Sequence, residues 1–241
     1  MTKISFVVPA YNEEAVLERC LHSILNELMH TPCQAEIVLV NNASTDRTKE
    51  IASSIPGIRV IDEDRKGLVF ARKAGFEATT GELVANIDAD TILPIGWLAK
   101  VFTEFSTHKD IVALSGPFLY HDISPPSRFL VRMFYISGYV SHWLFGMAML
   151  QGGNFVIQRE AWESVGGYDT SIAFYGEDTD IARRLSEIGT VKWTFALPAY
   201  SSGRRLIGEG IVSTGLHYVT NYFGIIFMGK PFSKEYQDIR M

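Results

Sequence analysis

A chain of 241 residues that is 47% hydrophobic and 20% charged can bury a substantial core and fold as one domain with appendages. Its net charge of −5, with basic residues scattered rather than striped, excludes a nucleic-acid binder held by phosphate neutralisation. The only cysteines, Cys20 and Cys33, have no metal or redox spacing, so both read as free thiols in a reducing, cytoplasmic compartment, and no leader-like segment precedes the first strand.

Residues 4–8 form a β-branched run that reads as a buried strand, closed by Pro9 and the polar loop Ala-Tyr-Asn-Glu-Glu. Apolar residues at Val16, Leu17, Cys20, Leu21, Ile24, Leu25 and Leu28 make residues 15–28 an amphipathic helix. Residues 36–40 are a second buried strand, and the turn at 41–46 leads into a helix through about Ser53. A third strand at 59–62, a helix at 70–78 and a fourth strand at 83–88 follow. Strands alternating with helices predict right-handed βαβ units and a mainly parallel sheet, whose ligands sit at the carboxyl ends of the strands. The three polar loops all fall at such ends.

The fourth strand stops at two carboxylates, Asp88 and Asp90. On an extended segment positions i and i+2 point the same way, so the pair is placed to converge on one cation. Magnesium and ions like it are bound by one or two carboxylates, with substrate phosphates and water completing the shell. Read alone, the same acids serve equally well to end a strand.

The series VPAYNEE, VNNASTD, ARKAG, DAD, GGNFVIQREAWESVGGYD and GEDTDIARRL resembles the family 2 glycosyltransferases, over residues 4 to about 193. The resemblance implies a Rossmann-like α/β nucleotide-diphospho-sugar transferase fold with a mixed, mainly parallel sheet. It also implies inverting transfer from a nucleotide-diphospho-sugar with Mg2+ or Mn2+. Residues 1–205 would form the catalytic domain, with a nucleotide-binding half (1–95) and an acceptor half (96–205), followed by an apolar segment and charged tail (206–241).

Residue by residue, the resemblance places Pro9, Tyr11 and Glu13 at the base and ribose, and Asn41 where relatives carry an acid that accepts from uracil. An amide donates as well as accepts, so the base stays open. Asp46 either contacts the nucleotide or caps the helix after it, capping being favoured. Arg72 would offer its fork to the diphosphate or, with Lys73, lie on a solvated helix face. Asp88, Ala89 and Asp90 would hold ribose and metal, with Asp90 the direct ligand. Asp178 would be the general base, its charge favoured by a helix start at 181, and Glu177 would orient the acceptor, as would Gly153. Asn154 would touch the donor sugar. Arg204 and Arg205 would close over the diphosphate. Trp162 and Tyr168 read as core rather than sugar platforms.

Residues 128–150 are long enough to span a bilayer, but spanning would separate Asp88 and Asp90 from Asp178. The helix expected at 127–150 is therefore read as interfacial, with Arg128, Arg132, Tyr135, Tyr139 and His142 as its headgroup stripe; a core helix or a homodimer face is the alternative. A second apolar stretch, 210–229, reads as its companion. The expected partners are the donor and a sugar or lipid-linked acceptor, at the inner face of the cytoplasmic membrane. A polyprenyl-phosphate sugar synthase and a non-catalytic nucleotide-sugar-binding subunit remain the competing readings.

Overall fold

The computed structural model describes residues 2–146, 148–172 and 175–232. In chain order the elements are β1 (Ile4–Ala10), α1 (Leu17–His30), β2 (Ala35–Asn41), α2 (Thr48–Ser54), β3 (Ile58–Asp62), α3 (Leu68–Ala78), β4 (Leu83–Ile87), α4 (Trp97–Thr107) and β5 (Ile111–Ser115). They continue with β6 (Phe118–Tyr120), α5 (Pro125–Phe145), β7 (Asn154–Gln158), α6 (Arg159–Ser164), α7 (Glu177–Ser186), β8 (Thr190–Trp193), β9 (Ala199–Ser201), α8 (Arg204–Gly208) and α9 (Ile211–Met228).

Seven strands form one mixed sheet in the order β3-β2-β1-β4-β7-β5-β8, in which only β7 runs against its neighbours. The strand order turns back at β1, which lies between β2 and β4, and this opens a crevice at their carboxyl ends. Alternation of side chains divides the core. Ile4, Phe6 and Val8 of β1 face a layer with Leu21, Ile24 and Leu98, while Val7 faces one with Phe76, Trp162 and Ile181. Trp162 and Tyr168 are core, as expected; both pack against Phe76.

Several boundaries differ from the sequence reading. The first helix begins at Leu17 because the Glu13 carbonyl accepts from both Val16 and Leu17 and closes the loop first. The acidic helix begins at Glu177, not at 181, so Glu177, Asp178 and Asp180 lie within its first turn. β4 ends at Ile87, and the Thr91 N–H donates to the Asp88 carbonyl at 2.9 Å. Asp88 and Asp90 therefore stand on a turn rather than on an extended segment.

A small parallel pair, β6 and β9, was not foreseen. It is tied to the Asp90 loop by the bridge between Ile92 and Tyr200, which brings residues 201–205 to the crevice. The helix expected at 127–150 is α5, which ends at Phe145. Its aromatic stripe is turned inward only in part: Tyr135 is buried against Trp193, while Tyr139 packs on Trp193 and Phe195 and remains exposed. Among the described residues no helix is long and apolar enough to cross a membrane. Of the charged tail, residues 233–241 lie outside the described part.

Buried Glu27 joins α1 to α4, its two oxygens accepting from the Gly96 and Leu98 N–H groups at 2.9 and 2.8 Å. These are charge-assisted bonds to donors that the first turn of a helix leaves without partners. Glu27→Ala is expected to lower the unfolding free energy by about 3 kcal/mol, seen as a lower urea midpoint at unchanged slope.

Candidate active site

The crevice is a cavity of about 150 Å³ lined by Pro9, Glu13, Asp88, Ala89, Asp90 and Arg204, among others. Proximity to β1 and β4 supplies the first five, and the strap after β9 supplies Arg204. The carboxylate of Glu13 accepts both ends of the Arg204 guanidinium, at 2.7 and 2.6 Å. The same guanidinium lies 3.3 Å from Asp90, whose other oxygen accepts from Ser201 at 3.4 Å. Burial pushes the Asp90 carboxyl up to about 7, against the pull of Arg204 and with added repulsion from Asp88 and Glu13.

Arg72 departs from one sequence reading. It is 1% exposed, and its two nitrogens donate to Glu177 at 2.6 Å and to Asp88 at 3.2 Å. Burial works against its charge, but Asp88 and Glu177 hold it protonated. Its fork is thus already engaged by two carboxylates and does not lie on a solvated face. Lys73, by contrast, is on the surface, paired with Glu77.

Asp178 is held by two backbone donors, Gly152 at 3.1 Å and Thr179 at 2.8 Å. Burial raises its carboxyl above the usual range, while Arg72 pulls it down. Burial likewise pushes Glu177 up to about 8 against the attraction of Arg72, with Asp178 adding to the rise. The Arg72 guanidinium thus donates to Glu177 and Asp88 and also attracts Asp178. Glycine is required beside them: at Gly153 φ is +83°, and a Cβ there would sit 2.2 Å from the Asp88 side chain.

At the carboxyl end of β2, outside the residues that line the cavity, Asn41 donates through Nδ2 to Asp62 at 2.8 Å. Its Oδ1 is buried with no hydrogen-bond partner. The Asn41 amide and then Lys49 hold the Asp62 carboxyl below its usual range, so Asp62 is an acceptor and fixes which way the amide points. Lys66 lies 4.0 Å over the Tyr11 ring and donates to its hydroxyl at 2.8 Å. Asp46 accepts from the Thr48 and Glu14 N–H groups, tying the start of α2 to the first loop.

One expectation is corrected. Asn154 is fully buried, accepting from the Trp97 indole at 2.9 Å and donating to Gly116 and Leu197 carbonyls at 3.0 and 2.9 Å, so its polar atoms are spent inside the protein. Arg205 pairs with Glu209 at 2.6 Å and lines the cavity beside Arg204. The sequence reading missed Tyr120, Gln151, Leu206, Thr214 and Tyr218, which also line the cavity. A tyrosine inside an apolar helix was the only signal for Tyr218.

A cation would find two carboxylates here, Asp88 and Asp90, and among the described residues no group of three or more His, Cys, Asp or Glu side chains placed to hold a metal. That donor set suits a hard divalent ion whose other ligands are diphosphate oxygens and water.

The mixed sheet with this crevice at its switch point is the α/β architecture of the GT-A fold. Residues 5–166 match the model of glycosyl transferase family 2, and the chain belongs to that family. The probable glycosyltransferase YdaM of Bacillus subtilis is 26% identical over 205 residues, covering 78% of this chain and 48% of that protein. The glucosyl-dolichyl phosphate glucuronosyltransferase of Haloferax volcanii is 26% identical over 184 residues, or 73% of this chain and 58% of that one. The chain spans about half the length of these curated relatives.

Two solved structures share the fold. The mannosyltransferase PcManGT of Pyrobaculum calidifontis, in complex with GDP-Man and Mn2+, gives a TM-score of 0.65 at 21% identity, covering 87% of this chain and 62% of that one. Glucosyl-3-phosphoglycerate synthase of Mycobacterium tuberculosis, with Mn2+, UDP-Glc and phosphoglyceric acid, gives 0.64 at 20% identity, covering 96% and 81%.

Because Arg204 supplies the counter-charge at Glu13 and Asp90, Arg204→Met is expected to bind Mn2+ at least about tenfold more tightly than the natural protein in the absence of nucleotide. An Mn2+ titration followed by electron paramagnetic resonance reads this, and equal affinities would show that Arg204 does not hold that position. Glu177 keeps its proton to about pH 8 when folded, while an unfolded glutamate loses it near the ordinary 4.5. Its contribution to stability is therefore present at low pH and lost as pH rises through that window. The natural protein is expected to lose stability relative to Glu177→Gln between pH 5 and 8, in denaturant titrations at each pH.

Proposed function

We propose that the chain transfers a sugar, with inversion, from a nucleotide-diphospho-sugar to a hydroxyl acceptor. The observation that carries this reading is one crevice with Asp88 and Asp90 on its floor and Asp178, from the other half of the chain, hydrogen-bonded to Gly152 on its wall. A divalent cation bound by Asp90 with Asp88 would neutralise charge on the departing diphosphate.

Asp178 accepts the proton of the acceptor hydroxyl as its oxygen attacks the anomeric carbon and the bond from that carbon to the diphosphate oxygen breaks on the opposite face. Glu177, held by Arg72, orients the acceptor. Arg204 exchanges Glu13 and Asp90 for the diphosphate when the donor enters. A base at this position favours a hydroxyl acceptor over a lipid phosphate, which needs none.

Asn41 sharpens the donor class. Asp62 takes one of the two Nδ2 hydrogens and fixes the amide's orientation, and the carbonyl oxygen, which has no partner, would accept from a base whose ring carries an N–H, such as uracil or guanine, in preference to cytosine or adenine. The acceptor is read as lipid-linked, because Leu206 and Tyr218 make one wall of the cavity apolar and a family relative is named for a dolichyl phosphate-linked substrate. The site of action would be the cytoplasmic face of a membrane.

Thermal stabilisation by UDP, GDP, CDP and ADP, each with and without Mn2+, tests the reading. A manganese-dependent rise in Tm with UDP or GDP and none with CDP or ADP is expected; no rise with any nucleotide would leave a non-catalytic subunit. Asp178→Asn is expected to retain the nucleotide shift while sugar transfer falls by about a thousandfold or more, and weakened nucleotide binding with residual transfer would overturn the base assignment.

A further inference from the structure

We infer that the outer face of α5, α8 and α9 docks on an anionic lipid bilayer, lying along its surface beside the mouth of the active site. This deepens the lipid-linked part of the proposed function and rests on that part alone.

Most of the large apolar side chains that the protein leaves exposed lie on these three helices and the residues just after them. Trp143 is 76% exposed, Phe227 73% and Val212 71%. A contiguous apolar face of this kind on a soluble domain marks an interaction surface. α5 is held to the body chiefly by Tyr135, whose hydroxyl accepts from the Phe118 N–H and whose ring stacks on Trp193 at 5.8 Å. α9 is held by Asn221, Gly224 and Ile225, which are buried. The two helices turn their remaining sides away from the core.

Charge identifies the occupant. The protein carries a net charge of −5, yet no Asp or Glu occurs from residue 123 to 159 or from 210 to 232. The ionisable groups on the face are Arg128, Arg132, His142, His217 and Lys230, and the two acids that precede these stretches are engaged, Asp122 by Ser202 and Gly203 and Glu209 by Arg205. An apolar face whose own ionisable groups are all basic matches acyl chains beneath anionic headgroups, with each basic side chain near the surface adding to the attraction. A second copy of the chain fits less well, since a two-fold contact would set Arg128 and Arg132 against like charges. Length agrees: α5 has 21 residues and spans about 30 Å, and no described helix is long and apolar enough to cross.

Position gives the docking its purpose. Leu206, Thr214 and Tyr218, on α8 and α9, also line the cavity that holds Asp88 and Asp90. A bilayer on the outer side of these helices would present a lipid-borne hydroxyl at the cavity's edge without the lipid leaving the membrane.

The test is cosedimentation of the protein with vesicles of phosphatidylcholine alone and of equal parts phosphatidylcholine and phosphatidylglycerol, with a brominated acyl chain as a quencher of tryptophan fluorescence. Binding to the anionic vesicles that weakens with salt, with quenching that is lost in Trp143→Ala, is expected. Arg128→Glu combined with Arg132→Glu should lower anionic-vesicle partitioning by about tenfold while the nucleotide-dependent rise in Tm stays as it was. No binding to either vesicle, or equal binding to both, would overturn the inference. So would a dimer in sedimentation velocity that is abolished by Trp143→Ala and does not yield to vesicles. Vesicle binding without any nucleotide shift would overturn the transferase reading and leave the docking surface standing.

Discussion

The guanidinium of Arg72 sits at the centre of the molecule, 1% exposed, between a carboxylate from each half of the chain. A buried unpaired cation costs several kcal/mol, so this arrangement persists only while both Asp88 and Glu177 are in place. The requirement propagates outward. It fixes where α3 lies against the sheet, how the turn after β4 opens, and where α7 must begin. Gly152 and Gly153 follow from it, because any side chain at either position would press on the carboxylates gathered around the guanidinium.

A second cation, Arg204, answers the carboxylates that Arg72 does not reach. It is on a short helix carried by β9, a strand tied to the Asp90 loop by a single bridge, so the segment has far fewer anchors than the sheet. Segments of low local stability are the ones that move when ligands bind. The inner part of the site is thus built around Arg72, and its outer edge around Arg204. The same edge continues into α8 and α9, which links whatever touches the apolar face to whatever fills the cavity.

The polar groups at the end of β2 show how a substitution can be compensated through a neighbour. An amide at position 41 is ambiguous in isolation, but Asp62 takes one of its hydrogens and fixes which way its carbonyl oxygen points. The chemistry of the pair, rather than of either residue, is what a base would meet. Asn154 shows the converse: a residue from a family motif whose every polar atom is spent on holding strands together.

Sequence alone determined the alternation of strands and helices through residue 87 and the loops that carry Glu13, Asn41 and Asp88. Those features rest on hydrophobic periodicity and local turn chemistry, which neighbouring residues decide among themselves. It did not yield β5, β6 or β9, which are short strands whose pairing depends on partners up to eighty residues away. Nor did it yield the engagement of Arg72 with Glu177, more than a hundred residues apart, or the inward turn of Tyr135. An arginine on a helix has the same local signature whether its face meets water or a buried carboxylate, and an aromatic stripe reads alike against lipid or against Trp193. Only the folded chain, by choosing what lies opposite, decides between them.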